Sequence, residues 1–189
     1  MHTLVHFLQT ELGLPKKLVP EVTKFFREEE VKKKAFLTRK GATCQKLSLI
    51  ERGYVRFFSH TEKKAVTHWI FGDGQLITDV ASFYLQEPAK WNMQALTDLK
   101  MYSLSYDDFQ ALRKERPEWD GFEKLLLIRL MSAMENRVYA LLSMSAEERY
   151  HYLFQSDSKM FNELPLQYLA SMMGMSPETL SRIRAKAGN

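Results

Sequence analysis

The chain has 189 residues, of which 45% are hydrophobic, and its formal net charge is +4. This composition supports a folded core and excludes a disordered chain, while the mildly basic balance permits an anionic partner. A single cysteine, Cys44, excludes an internal disulfide and an iron–sulfur cluster held by cysteines alone. No apolar run approaches about 18 residues and no signal-peptide pattern begins the chain, so we expect a cytoplasmic protein without a membrane span.

The N-terminal segment, residues 3–33, has apolar residues at helical spacing. Two groups show it: Leu4, Phe7 and Leu8, then Val19, Val22 and Phe26. This spacing predicts helix through the segment. The charge run EEEVKKK at 28–34 is typical of a solvated surface.

Residues 35–105 have a different pattern. Short segments rich in aromatic and β-branched residues, such as AVTHWIF and KMYSLS, alternate with turn signals. Strands of this kind, with turns about every 8–12 residues and no helix between them, predict an antiparallel barrel or a jelly-roll-like β-roll. Helix returns at 106–119, where Pro117 breaks or restarts it.

The segment from 118 to 143 is predicted as one long helix. Apolar residues at alternating spacings of four and three form a seam: Leu127, Met131, Met134, Val138 and Leu141. A second apolar stripe lies on another face: Phe122, Leu126 and Leu130. Such a helix packs on its own domain by one face and on a second copy of the chain by the other. The alternative is a single buried core helix.

The C-terminal segment predicts three further helices. Ser145 is a suitable N-cap for the first of them, and a polar loop is expected at 155–165. Pro165 suits the first position of the next helix, and Gly174 stands where a left-handed turn residue ends it. Ser176 as N-cap and Pro177 as first residue then begin the last helix.

The outward face of the last helix carries residue types that contact DNA. They are Ser176, Pro177, Glu178, Thr179, Ser181, Arg182, Arg184 and Lys186. Arginine reads guanine, glutamate reads cytosine, and serine and threonine contact phosphates or bases. Two short helices joined by a tight turn therefore predict a helix-turn-helix, with a hairpin that only packs as the alternative.

With these motifs, the sequence resembles the Crp/Fnr family of bacterial transcription regulators, and SPETLSRIR is similar to that family's recognition helix. The resemblance implies an α+β fold with a jelly-roll-like β-roll and flanking helices at 1–117, a dimerisation helix at 118–144 and a helix-turn-helix domain at 145–189. It places Glu178 and Arg182 at base-contacting positions, while Pro177 replaces a position that is often arginine. The family's β-hairpin wing has no counterpart.

The stretch FGDGQLITDVASF is similar to the family's phosphate-binding cassette, F-G-E-L-A-L followed by R-x-A. This resemblance implies an effector pocket, with the residues Thr78, Asp79, Lys90, Trp91 and Ser132. The family's arginine position falls on Ala89 or Lys90, and Thr78-Asp79 replaces its Gly-Glu pair. These replacements predict that cyclic AMP is not bound in the usual way, so no cofactor is certain and an unidentified small-molecule effector stays open.

The expected function is that of a homodimeric, sequence-specific DNA-binding regulator that is not an enzyme. Its expected partners are a double-stranded DNA operator, a second copy of the chain and, if it activates transcription, RNA polymerase. The alternative is a small-molecule-binding module without a DNA function. A cupin-type metal enzyme is disfavoured because His60 and His68 have no third ligand at a suitable spacing.

Overall fold

The computed structural model describes residues 1–62 and 64–188. The chain begins with helix α1 (His2–His6), which continues into a π-helical turn at Phe7–Glu11, and with helix α2 (Val19–Thr23). Leucines of the first helical segment are buried, as the apolar spacing predicts. Helix ends at Thr23, so the prediction of helix up to residue 33 is wrong for its last part.

The described residues then form eight strands. They are β1 (Arg27–Val31), β2 (Phe36–Thr38), β3 (Lys46–Arg52), β4 (Val55–His60), β5 (Ala65–Phe71), β6 (Leu76–Ile77), β7 (Asn92–Ala95) and β8 (Leu99–Ser105). They build two four-stranded antiparallel sheets, in the orders β1-β8-β3-β6 and β2-β7-β4-β5. The predicted α+β fold with a jelly-roll-like β-roll is confirmed.

Strand β1 takes up the first half of the charge run that we expected to be helical. It pairs only with β8 and forms one edge of its sheet, so its charged side chains stay near solvent. Glu28 forms an ion pair with Lys100 of β8, and Glu29 forms one with Lys46 of β3, the strand beyond β8. An edge strand held by cross-strand charge pairs does not need the alternating apolar pattern that identifies a strand in a sequence.

Three helices complete the main core. They are α3 (Val80–Leu85), α4 (Tyr106–Glu115) and the long α5 (Trp119–Ser143). The predicted inner stripe of α5 packs against this core through Leu126, with Phe122 and Leu130 partly buried beside it. The same core includes residues of α1, α4 and both sheets.

The chain continues with α6 (Ala146–Ser156), α7 (Ser158–Glu163), α8 (Leu166–Met172) and α9 (Pro177–Lys186). Ser145 caps α6 as predicted: its Oγ accepts a hydrogen bond from the Glu148 amide at 3.3 Å, and its own amide donates to the Glu148 carboxylate at 2.7 Å. The predicted polar loop at 155–165 is wrong, because α7 lies within it. Met160 and Phe161 of α7 are buried in a second core.

This second core joins the C-terminal helices to the β-roll. It contains Tyr150, Leu169 and Leu180 of the C-terminal helices. From the β-roll it contains Tyr54, which directly precedes β4, and Ile70 of β5. Over residues 1–62 and 64–188, no helix is both long and apolar enough to cross a membrane. The same residues contain no group of three histidine, cysteine, aspartate or glutamate side chains arranged to hold a metal ion.

Candidate functional site

Helices α8 and α9 meet at a four-residue turn that the sequence predicts well. Gly174 has a φ of 66°, the left-handed conformation that favours glycine. The Ser176 Oγ accepts a hydrogen bond from the Thr179 amide at 3.2 Å, and Pro177 is the first residue of α9. Pro165 is the N-cap of α8, one position before the predicted one. The turn therefore fixes the angle between two short helices.

The inner faces of the two helices are closely packed. Leu169, Ala170 and Leu180 are fully buried, and Ile183 is partly buried beside them. Ala170 permits the close approach because its side chain is a single methyl group. With these residues inside, the polar residues of α9 face outward.

Most of the predicted DNA-contacting residues lie on that outward face. Ser176, Glu178, Ser181 and Arg182 are exposed, whereas Pro177 and Thr179 are partly exposed. Hydrogen bonding by Ser176 lowers the pKa of the Glu178 carboxyl, and the nearby charge of Arg182 lowers it further. Glu178 is therefore a carboxylate, and therefore a hydrogen-bond acceptor, at neutral pH.

Two of the predicted residues are held by other parts of the chain. Arg184 donates a hydrogen bond to the carbonyl oxygen of Phe161 at 3.3 Å. The Lys186 ammonium lies 3.1 Å from both oxygens of Glu147. Arg182, by contrast, has no hydrogen-bonded partner within the part of the chain that the structure describes. The candidate interface is therefore centred on Glu178 in the first turn of α9 and on Arg182 in the middle of that helix.

The predicted seam of α5 is largely open to solvent. Met131 is 67% exposed and Met134 is 61% exposed, and Val138 and Leu141 are exposed to a smaller extent. Leu127, nearest the main core, is partly buried. Four large apolar side chains in the open at this regular spacing form a surface to which a second helix can bind.

Helix α8 is docked on strand β5 of the roll. The Thr67 amide donates a hydrogen bond to the Ser171 Oγ at 2.9 Å. The Arg56 guanidinium lies between two aromatic rings, 4.3 Å from the centre of Phe58 and 4.1 Å from that of Tyr168. Arg56 is only 5% exposed, and its Nε donates to the Thr67 Oγ1 at 2.8 Å. A buried guanidinium thus links the sheet to α8.

A second arginine links α5 to the same helix. Arg137 donates to the carbonyl oxygen of Met172 at 3.0 Å and lies 4.7 Å from the centre of the Trp69 ring. Burial lowers the pKa of Arg137 to about 10. The pKa of His68 is lowered by burial and by the positive charges of Arg137 and Arg56. Sequence reasoning missed both arginines, because in a sequence a buried or half-buried arginine cannot be distinguished from a surface one until the tertiary contacts are known.

The predicted effector residues Thr78 and Asp79 are buried at the start of α3. The Thr78 Oγ1 donates to the carbonyl oxygen of Lys46 at 3.0 Å. Asp79 is the N-cap of α3 and accepts a hydrogen bond from the Ser82 amide at 3.2 Å. The start of this helix, where the resemblance places a bound phosphate, therefore already holds a carboxylate of the chain itself.

The other predicted effector residues do not line a common cavity. Lys90 and Ser132 are exposed. Ala89, the other candidate for the family's arginine position, is buried. The Trp91 ring packs on His68, with ring centres 4.3 Å apart. None of the five predicted residues lines the cavity of about 170 Å³ that lies between the two sheets.

Comparison with known proteins agrees with this architecture. Residues 28–116 match the family model of the cyclic nucleotide-binding domain. The fold is similar to that of the c-di-GMP-responsive global regulator of Xanthomonas campestris, at 14% identity and a TM-score of 0.67 over 92% of each chain. It is also similar to the catabolite activator protein of Thermus thermophilus, at 22% identity and a TM-score of 0.59, over 95% of this chain and 88% of that one.

A third similar structure is FixK2 from Bradyrhizobium japonicum, at 13% identity and a TM-score of 0.70, over 86% of this chain and 84% of that one. No curated protein matches the sequence. At these identities the solved structures establish the fold, and the family match covers the roll. Residues 28–116 are therefore similar to the cyclic nucleotide-binding domain, and the chain as a whole shares its fold with these three proteins.

Proposed function

We propose that the protein is a homodimeric, sequence-specific DNA-binding transcription regulator of Crp/Fnr type. The observation that carries this proposal is the geometry of α8 and α9: a turn at Gly174 joins a buried inner face to an outward polar face. In this proposal the two helices are a helix-turn-helix, and α9 is the recognition helix that enters the major groove.

Two side chains of α9 are proposed to read bases. Arg182 is exposed and free of hydrogen-bonded partners among the described residues, so its fork can bond a guanine without breaking an existing contact. Glu178 lies one turn earlier and can accept a hydrogen bond from a cytosine amino group. Ser176, Thr179 and Ser181 contact phosphates in this arrangement, and Lys186 reaches one only by leaving Glu147.

The second copy is proposed to pack against the seam of α5. Pairing of two such helices covers the exposed methionines and holds two copies of α9 at a spacing of about one DNA turn, ~34 Å. This arrangement predicts a pseudo-palindromic operator. If the protein activates transcription, RNA polymerase is a further partner. The protein would bind the operator and RNA polymerase in the cytoplasm.

The cassette around α3 is proposed not to hold a cyclic phosphate in the usual way. Asp79 caps α3, and Ala89 and Lys90 offer no buried arginine fork beside it. A negatively charged phosphate placed there would meet the Asp79 carboxylate. We therefore expect cyclic AMP to leave both the melting temperature and the DNA affinity unchanged.

The test is selection of bound duplexes from a random DNA pool by the full-length protein, with and without cyclic AMP. The expected result is one enriched pseudo-palindromic site in both conditions. Arg182→Ala should weaken binding to that site by about 10- to 100-fold and relax one base position. Arg52→Ala, which removes an exposed arginine at the end of β3, is the matched control and should leave binding unchanged.

Failure to enrich any site would contradict the proposal. If the parent protein enriched a site but Arg182→Ala and Arg52→Ala lost the same amount of affinity for it, the role of Arg182 would be contradicted. If instead a small molecule raised the melting temperature and no DNA were retained, the chain would be a small-molecule-binding module without a DNA function.

A further inference from the structure

The cavity between the two sheets, called here the roll cavity, is not lined by any of the predicted effector residues, although Thr78 follows the lining residue Ile77 in the chain and bonds the Lys46 carbonyl oxygen. Its walls come from β1, β3, β6 and β8 of one sheet and from β2 and β7 of the other. Its volume is about 170 Å³. An apolar cavity of ~150 Å³ in another protein admits benzene, so the roll cavity has room for a body of about six carbons.

Most of its wall is apolar. Phe36, Ile77, Met93 and Met101 line it, drawn from four different strands. Met93 and Ile77 are almost fully buried. Methionine side chains adapt to irregular shapes, so these walls favour an apolar guest.

A polar group lies at one side of the cavity. Lys46 forms an ion pair with one oxygen of Glu29, and the other oxygen of Glu29 accepts a hydrogen bond from the Ser103 hydroxyl at 3.1 Å. The Ser48 hydroxyl is in turn bonded to that of Ser103 at 2.8 Å. Both carboxylate oxygens are therefore already engaged.

Lys46 is the member of this group with donors to spare. An ammonium group has three N–H donors, and the contact with Glu29 uses one of them. Its side chain is half-exposed, so a ligand can reach it from solvent. The unused hydrogen-bond donors beside the apolar walls therefore belong to a positively charged ammonium group. Such a group binds a carboxylate well.

We propose that the roll cavity binds a small monocarboxylate with an apolar body of about six carbons, with its carboxylate on Lys46 and its body against Met93 and Met101. Binding itself does not depend on the proposed DNA function. Only its regulatory meaning rests on that function, because the ligand would then be the effector.

The cavity is connected to α8 through the sheet. Met93 of β7 is paired with Phe57 of β4. The residue that precedes Phe57 in β4 is the buried Arg56. Arg56 lies against Tyr168 of α8. A guest that shifts Met93 therefore acts on the strand that carries the contact between the roll and the C-terminal helices.

The test uses the full-length protein with methyl-labelled methionines and no DNA. Benzoate and hexanoate are the probes, benzyl alcohol is the neutral analogue, and methyl resonances are followed by NMR. We expect saturable shifts of Met93 and Met101, with a Kd of about 1 mM or tighter for so small a ligand. The methyl of Met1, which is 54% exposed and does not line the cavity, serves as the internal reference.

Lys46→Gln should weaken benzoate binding about tenfold or more and leave benzyl alcohol binding unchanged. Lys46→Arg keeps the charge and should restore most of the affinity for benzoate. Lys40→Gln removes an exposed lysine outside the cavity and is the matched control. Thermal melting of each variant establishes that it is folded.

Three results would overturn the proposal. They are no saturable shift with either carboxylate, shifts confined to methionines outside the cavity, and equal benzoate affinity in Lys46→Gln and the parent protein. Because no DNA is present, none of these results depends on whether the protein selects an operator.

Discussion

The exposed seam of α5 gives the most direct test of dimerisation. We consider Met134→Glu, which replaces an apolar side chain that is 61% exposed in the single chain. Full burial of a methionine side chain contributes about 1.5–3 kcal/mol, so burying the exposed three-fifths contributes about 1–2 kcal/mol per protomer. Two copies meet across a symmetric interface, which doubles the loss to about 2–4 kcal/mol per dimer.

This loss corresponds to about 30- to 1,000-fold weaker association, before the cost of burying two glutamate charges is added. Asn136→Glu is the matched control, because it adds the same charge to the same helix at an exposed position outside the four–three spacing. Sedimentation velocity over a range of protein concentrations measures both dissociation constants.

We expect a dimer for the parent protein and for Asn136→Glu, and a monomer for Met134→Glu at the same concentrations. Two outcomes would refute the reasoning. One is a parent protein that stays monomeric at every concentration, and the other is a Met134→Glu variant that dimerises as tightly as the parent protein.

Two further predictions concern stability. Gly174→Ala should lower the free energy of unfolding by about 1–2 kcal/mol, because the backbone of residue 174 is in the left-handed conformation. Gly121→Ala should raise the free energy of unfolding by about 0.5–1 kcal/mol, because Gly121 lies in helix α5 with open space around it. Urea unfolding measures both, and equal effects of the two substitutions would contradict the strain at Gly174. Burial raises the pKa of the Glu123 carboxyl above its ordinary value of 4.5, so ionisation costs the folded state more than the unfolded state as pH rises above 4.5. Glu123→Gln should therefore gain stability relative to the parent protein as the pH rises above 4.5, and a stability difference independent of pH would show that Glu123 is not responsible.

Much of the fold follows from local patterns in the sequence. The two stripes of α5, the cap at Ser145 and the turn at Gly174 each depend on residues within about four helical turns of one another. Strand β1 was missed because its pairing partner, β8, is about 70 residues away in the sequence and its own residues are charged. Helix α7 was missed because a short polar stretch becomes helical through burial of Met160 and Phe161.

The candidate binding features are predictable to a smaller extent, for the same physical reason. The outward face of α9 is local, so its exposed polar residues follow from their spacing, and their contacts with DNA stay a prediction. Arg56 and Arg137 acquire their role only when β4, α5 and α8 come together, and nothing in their neighbours along the chain indicates burial. The roll cavity is equally non-local, since Lys46 and Met93 come from different sheets.

Titration of an enriched operator duplex at several salt concentrations tests the central claim most directly. Fluorescence anisotropy gives the affinity and the number of protomers per duplex. We expect two protomers per duplex, tighter binding than to a scrambled duplex, and an association constant whose logarithm falls linearly with log salt by about 0.9 for each phosphate contacted. A flat response to salt together with equal affinity for the scrambled duplex would contradict the account.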